Sequence, residues 1–377
     1  MKEQEKAYQF WIHNLPGIGD RTIEKLILAF GSERRVYRAA KKDLGTLLDE
    51  DRKRAVRDFT ESWDLQGAYE KLIEKGIRFF TCRDQEYPSR LRKLKYPPYG
   101  IYCIGNLPEE EKPAAAVIGA RECSEYGSFV AKAFAGRMAE AGISVISGMA
   151  RGIDGIAQQG AIDAGGATYA VLGCGVDICY PVSNRRLYEE ILATGGGILS
   201  VFTPGTEPQK RNFPERNRIV AGLSDILLVV EARQKSGTWI TVDMALEQGK
   251  SVYAVPGRLT DRLSDGCNLL IRQGAGIALS PEDLIQEMKI LTNREGMNLQ
   301  ENEGRMEPQE VKQEEEIYKF LDFSPRTADE LLKQMRKAGK NVELSEVLSE
   351  LILLCMEGKA RQEAGCYVKT GSPVKGL

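Results

Sequence analysis

The sequence predicts an α/β chain built round a mostly parallel sheet, with a smaller, largely helical unit on either side. Three observations carry this. From Ala114 onward, short apolar runs alternate with amphipathic stretches of helix length, the pattern of a parallel sheet covered on both faces. Ahead of them, residues 3 to about 75 place apolar side chains three and four apart, as helices do. The chain also holds 38 Gly in 377 residues, above average usage and suited to many tight strand-to-helix turns.

In chain order, residues 1–75 read as a helical domain with breaks at Pro16-Gly17, Gly31-Ser32, Gly45 and Gly67. Its Leu15-Pro16-Gly17-Ile18-Gly19, followed by Ile23, Leu26, Ile27 and Phe30, has the form of a helix-hairpin-helix whose glycine turn offers N–H groups to a phosphate. The alternative is a glycine-tight turn in a helical bundle. Residues 76–113 form a connector with short strands at 77–81 and 100–104, punctuated by Tyr87-Pro88 and Pro97-Pro98. The main domain runs on to residue 291, with strands expected at 114–118, 143–146, 168–172, 198–201, 226–230 and 252–255. Helices are expected between them at 126–141, 153–164, 185–193 and 239–248. Residues 292–313 are polar and charged and read as a linker. Three short helices at 314–321, 327–338 and 344–357, then a strand or small hairpin at 360–369, give residues 314–377 the arrangement of a winged helix. Glu343, Glu346, Glu350 and Glu357 stand on its last helix, where a DNA-reading helix needs cations, so a protein contact or dimer support is expected there.

Composition narrows the function. Apolar residues are 42% and charged residues 28%, with a net charge of -2, so any nucleic-acid site must be a local basic patch on a near-neutral molecule. Residues 1–14 carry charge throughout, and nowhere do about eighteen apolar residues run together, so a cytoplasmic protein without a membrane span is expected. The eight cysteines lack any C-x-x-C pair and read as small apolar fillers in a reducing compartment. The single histidine, His13, leaves no material for a Ser-His-Asp or Cys-His relay or a His-rich metal site.

In a parallel sheet the binding crevice lies beyond the carboxyl ends of the strands. There the sequence repeats one combination, glycine beside a cation or hydroxyl. It occurs in Gly119-Ala120-Arg121, in Ser147-Gly148-Met149-Ala150-Arg151-Gly152-Ile153-Asp154, in Glu231-Ala232-Arg233-Gln234-Lys235-Ser236-Gly237-Thr238 and in Pro256-Gly257-Arg258. Gly173-Cys174-Gly175-Val176-Asp177 occupies the remaining loop. Glycine admits a close backbone approach, and the helix that follows supplies free N–H groups, so phosphate is the expected target. Ordinary strand-to-helix turns would explain one or two such loops.

Nucleotide-cofactor motifs fail on spacing. Ile178 stands where the dinucleotide fingerprint needs its third glycine, and Pro181 follows it. Gly249-Lys250-Ser251 has Met244 where a P-loop needs glycine. No cofactor is expected, which leaves nucleotides, sugar phosphates or a polynucleotide backbone. The stretch 210–218, Lys-Arg-Asn-Phe-Pro-Glu-Arg-Asn-Arg, crowds four cations, one aromatic ring and two amides into nine residues. That mix suits single-stranded nucleic acid, although basic runs also decorate solvated helix starts.

Taken together, the loop at 147–154, the stretch Phe213-Pro214-Glu215-Arg216-Asn217-Arg218-Ile219-Val220-Ala221-Gly222 and Ser236-Gly237-Thr238 ahead of Ile240-Thr241 resemble the DNA-processing protein A family, DprA or Smf. The resemblance covers nearly the whole chain. It implies an extended Rossmann-like domain, flanked by an N-terminal helical domain of SAM or helix-hairpin-helix type and a C-terminal winged helix. It implies a non-enzymatic homodimer that binds and protects single-stranded DNA during natural transformation and helps load the RecA recombinase. The strand contacts implied are Gly119, Arg121, Ser147, Gly148, Arg151, Gly152, Lys210, Asn212, Phe213, Arg216, Asn217, Arg218, Lys235, Ser236, Gly237 and Thr238. Arg121 would sit in a phosphate pocket, Lys210 on the backbone and Phe213 beside a base, with Arg216 and Arg218 adding charge. Ala120 replaces a more usual hydroxyl residue, and Trp239 a more usual aliphatic one.

Three residues have competing roles. Asp154 reads as a first-turn carboxylate that stabilises a helix start. Arg151 would hold phosphate, or else Asp154 or Glu231. Glu231 would be a general base in a related nucleoside-monophosphate hydrolase, the alternative function, or a salt-bridge partner in the pocket. Against the hydrolase, Pro256-Gly257-Arg258 lacks the second glycine of that enzyme's Pro-Gly-Gly loop.

Overall fold

The structure, a computed structural model, describes residues 2–294, 316–340, 342–363 and 365–370. Five helices come first: α1 (Lys2–His13), α2 (Asp20–Phe30), α3 (Glu33–Ala40), α4 (Glu50–Ser62) and α5 (Leu65–Glu74). Strand β1 (Arg78–Thr81), the short helix α6 (Ser89–Arg92) and β2 (Gly100–Gly105) follow. The alternating region gives β3 (Ala114–Ile118), α7 (Glu125–Glu140), β4 (Ser144–Ser147), α8 (Ile153–Asp163), β5 (Thr168–Val171), α9 (Arg185–Ala193) and β6 (Gly197–Ser200). It continues through α10 (Asn212–Leu223), β7 (Ile226–Val229), α11 (Thr238–Glu247), β8 (Ser251–Ala254), α12 (Asp265–Arg272), β9 (Gly276–Ile277) and α13 (Pro281–Arg294).

These strands make one sheet in the order β1-β2-β6-β5-β4-β3-β7-β8-β9. From β6 to β9 every pairing is parallel, while β2 runs antiparallel to β6 and β1 antiparallel to β2. The strands of the connector therefore extend the sheet. Strands β3 to β7 are buried along their whole length, which explains their unbroken apolar runs. Ala115, Val117 and Val145 face α7, α8 and α13, whereas Ala114, Ala116 and Ile118 face α10, α11 and α12. After β3 the chain builds outward to β6 on one side, then returns to place β7 on the other side of β3. The order thus reverses at the β3–β7 pair, where such sheets bind their ligands.

The N-terminal helices share their interior with the sheet. Trp11, Ile12, Leu26 and Val36 belong to the same apolar cluster as Tyr102, Ala170, Leu172 and Ile198. His13, the last residue of α1, is partly buried at that joint with Nδ1 2.9 Å from the Tyr102 hydroxyl, and desolvation pushes its pKa down to about 4.

Residues 292–294, read from sequence as the start of a linker, continue α13, and the remaining linker residues 295–313 lie outside the described ones. The last unit has strand β10 (Arg326–Thr327), helices α14 (Ala328–Lys337) and α15 (Leu344–Met356), and the hairpin β11 (Ala360–Glu363) and β12 (Cys366–Lys369). Of the first expected helix, residues 314 and 315 lie outside the described ones, and Glu316–Lys319 form a 3₁₀ turn in place of an α-helix.

Candidate nucleic-acid interface

At the β3–β7 reversal lies a crevice of about 660 Å³. Its walls are the loop after β3 (Gly119, Ala120, Arg121), the loop after β4 (Gly148, Ala150), the start of α10 (Phe213, Pro214, Asn217) and the loop after β7 (Arg233, Ser236, Gly237, Thr238), with Lys210 at one side. Helix α10, which the sequence reading passed over, runs back along the sheet and so brings its amino end to the carboxyl ends of the strands. A second cavity of about 510 Å³ shares Arg121, Gly148, Tyr180, Phe213 and Arg216 with the first, and adds Arg151, Gly173 and Pro181 to Ser183.

The loops are tight for stated reasons. Gly152 has φ 72°, a conformation that side-chain-bearing residues rarely adopt, and a Cβ there would collide with the Ala120 carbonyl oxygen. A Cβ on Gly148 would collide with the guanidinium of Arg216. Asp154, at the start of α8, accepts a hydrogen bond from the Gly148 N–H at 3.2 Å and so ties the loop to the helix that follows it. Burial raises its carboxyl pKa, opposed by the nearby Arg216 charge and by loop hydrogen bonds.

Several residues expected to touch a strand are occupied inside the protein. Arg216 is 5% exposed; its guanidinium donates to the Gly148 carbonyl and, at 3.0 Å, to the Val171 carbonyl, so it braces two strand ends. Burial lowers its pKa against the pull of Asp154. Asn212 is buried and donates to the Gly173 carbonyl at 3.1 Å. Arg218 donates to Glu215 at 2.9 Å and to the Tyr96 carbonyl at 2.7 Å. Fully buried Ser147 donates to the Val117 carbonyl at 2.6 Å. Each was read as ligand-facing because sequence shows a polar side chain's chemistry and not its direction.

What stays open is a smaller set. Arg121, Lys210 and Arg233 are exposed in the crevice wall, and Arg211, next in sequence to Lys210, is exposed but lines neither cavity. The half-buried ring of Phe213 has the Arg121 guanidinium 5.6 Å from its centroid, that of Arg216 at 5.7 Å, and the Tyr180 ring at 5.9 Å. Ser236 Oγ, shielded from solvent in the crevice wall, has no hydrogen-bond partner, a state that invites a ligand oxygen. Arg151 is exposed and lines the second cavity; Lys235 is exposed but lines neither. Tyr180 and Arg233 escaped the sequence-based set of contacts. Arg233 stands in one of the glycine-and-cation loops, whereas Tyr180 carries no ligand signal in sequence, where the proline that follows it marks only a break in helix.

Two other readings change. Glu231 is 1% exposed and accepts from both the N–H (2.9 Å) and the Oγ (2.5 Å) of Ser124, the residue that caps α7. Burial raises its pKa and those hydrogen bonds oppose the rise. It lines neither cavity and, among the described residues, pairs with no arginine, so it is a cap partner. Arg258 reaches the C-terminal unit, where its guanidinium donates to Ser324 Oγ and lies 3.9 Å from an Asp322 carboxylate oxygen, and it does not line the crevice.

The chain has relatives among known proteins. The chain is 40% identical to the DNA processing protein DprA of Streptococcus pneumoniae over 211 residues, which are 56% of this chain and 74% of that one. To the Smf protein of Escherichia coli it is 32% identical over 301 residues, 79% of either chain. The X-ray structure of the Streptococcus pneumoniae protein superposes with a TM-score of 0.64 at 33% identity, over 74% of this chain and 97% of that one. A structure of DNA processing protein A from Helicobacter pylori, described for its single-stranded DNA binding mode, gives a TM-score of 0.51 at 31% identity, over 56% of this chain and 95% of that one. The sequence profile of DNA recombination-mediator protein A matches residues 78–289, from the start of β1 into α13. The chain therefore belongs to the DNA recombination-mediator protein A family, that of the DprA and Smf proteins.

Proposed function

We propose that the crevice holds single-stranded DNA, with phosphates at Arg121, Lys210, Arg211 and Arg233 and bases against Phe213 and Tyr180. One observation carries this reading: exposed cations, a guanidinium-flanked aromatic ring and Ser236, whose buried Oγ has no hydrogen-bond partner among the described residues, line the same crevice. Cations that follow a backbone beside rings that accept any base are the means by which single strands are bound without sequence preference. The Helicobacter pylori relative, described for such binding, supports the same ligand. Gly119, Gly148, Gly152, Gly237 and Thr238 shape the anion-facing loops, Arg151 and Lys235 add charge at the rim, and Asn217 contributes an amide. Asn212, Ser147, Arg216 and Arg218 hold the frame.

In this reading the protein is a cytoplasmic, non-enzymatic homodimer that protects incoming single strands and helps pass them to RecA during natural transformation. Residues 1–75 and 314–377 act as flanking helical and winged-helix domains. The commitment of Glu231 to the cap of α7 weighs against the nucleotide-hydrolase alternative. Titrating salt against binding of a single-stranded oligonucleotide tests the proposal: log affinity falls steeply with log salt, and Lys210→Ala or Arg121→Ala makes that slope shallower. Absence of binding at low salt overturns it.

A further inference from the structure

Among the described residues two aromatic side chains are largely exposed, Tyr96 at 50% and Tyr180 at 42%. They bracket the helix that carries Phe213. Tyr180 stacks toward Phe213 itself, whereas Tyr96 stands beside Arg218, five residues further along α10 and roughly 140° round it. Tyr96 is firmly placed. Its carbonyl accepts from Arg218 Nη1 at 2.7 Å, and Leu91 and Leu94 of the same segment close on Gly222 of α10.

The ring of Tyr96 is furnished with charge. The Arg21 guanidinium, from the first turn of α2, lies 3.9 Å from its centroid, and the Lys95 ammonium lies at 5.5 Å. None of the ion pairs among the described residues involves Arg21 or Lys95. A contact whose only purpose was to join the N-terminal helices to the sheet would gain by covering the ring. Here Tyr96 stays half exposed beside the guanidinium, which leaves it accessible to a stacking base.

We infer that Tyr96, with Arg21 and Lys95, is a second station for a single DNA strand. The strand leaves the Phe213 crevice over the amino end of α10, past Lys210 and Arg211, and stacks a base on Tyr96 while Arg21 and Lys95 take the adjoining phosphates. The N-terminal helices thereby supply part of the DNA surface. This inference rests on the crevice being a single-strand site.

Fluorescence anisotropy with the full chain tests it, using an oligothymidine of about 6 nucleotides, within reach of the crevice alone, and one of about 20. Tyr96→Ala is expected to weaken the longer oligonucleotide about tenfold and leave the shorter unchanged, Tyr96→Phe to retain binding, and Arg21→Ala and Lys95→Ala to weaken the longer one alone. Thermal melting of each variant guards against a folding defect, and the surface change Lys95→Ala keeps the test open should Tyr96→Ala unfold. If Lys210→Ala weakens both oligonucleotides while every change at Tyr96, Arg21 and Lys95 leaves both as in the parent, the second station is refuted and the crevice stands. If the parent chain binds neither, the crevice reading falls and takes this one with it.

Discussion

Arg216 lies directly beneath Gly148, so close that a side chain on the glycine would occupy the place of the guanidinium. The two residues are 68 positions apart, yet each requires the other, because the arginine satisfies the Gly148 carbonyl and the glycine leaves room for it. Removing the arginine strands the buried Asp154 carboxylate without its nearest positive charge. Arg216→Ala is therefore expected to cost about 2–4 kcal/mol of folding stability, chiefly from two buried carbonyls left without a donor. Urea unfolding measures this, and a loss below about 1 kcal/mol would contradict the bracing role.

Lys210 presents the opposite case. It is exposed and forms part of the crevice wall, so Lys210→Ala should change stability by less than about 0.5 kcal/mol. Its effect belongs on binding, where the salt slope should become shallower by about 0.7 for one lost single-strand phosphate contact. The two measurements together separate a ligand cation from a structural one.

Phe213 and Tyr180 should act through stacking and not charge. Phe213→Ala and Tyr180→Ala are each expected to weaken oligonucleotide binding by about 1–3 kcal/mol with the salt slope unchanged. Anisotropy titrations at two or more salt concentrations check both parts, and a changed slope with unchanged affinity would argue against stacking.

Asp20, at the start of α2, has its pKa raised to about 6, first by burial and then by nearby Glu215, against a backbone hydrogen bond from Tyr99 and the charge of Arg218. A carboxyl raised in the folded state favours folding in its protonated form. Its contribution is complete below the ordinary carboxylate pKa and is lost as pH rises through about 6. Asp20→Asn should thus gain stability relative to the parent between pH 4 and pH 7.5. Denaturation curves at those two pH values reveal it, and an equal difference at both would remove Asp20 as the cause.

Glu231→Gln is expected to leave oligonucleotide binding unchanged, since the Glu231 carboxylate is engaged by Ser124, the cap of α7, and lines neither cavity. Incubating the protein with nucleoside monophosphates and assaying free base gives the complementary check. Base release that Glu231→Gln abolishes would instead favour the hydrolase.

Much of this architecture was readable in advance. Runs such as 114–118 and 226–230 announce parallel strands because burial on both faces leaves no place for alternation. The loops at Arg121 and Arg233 were legible because an anion site needs glycine beside charge in any fold. Helix α10 was not, since its first turn falls within a basic run and contains Pro214, which resembles punctuation but fits an early helical position. The burial of Arg216 was hidden for another reason. Only the fold brings a side-chain-free residue of one loop over an arginine of a distant helix.

The shared interior of the N-terminal helices and the sheet bears on how the molecule comes apart. Trp11 and Leu26 lie in one cluster with Leu172 and Ile198, so a fragment trimmed to begin at β1 would bare an oily flank of the sheet and clump. Heating should therefore melt the first five helices and the sheet together, in a single transition, however separable they look along the chain.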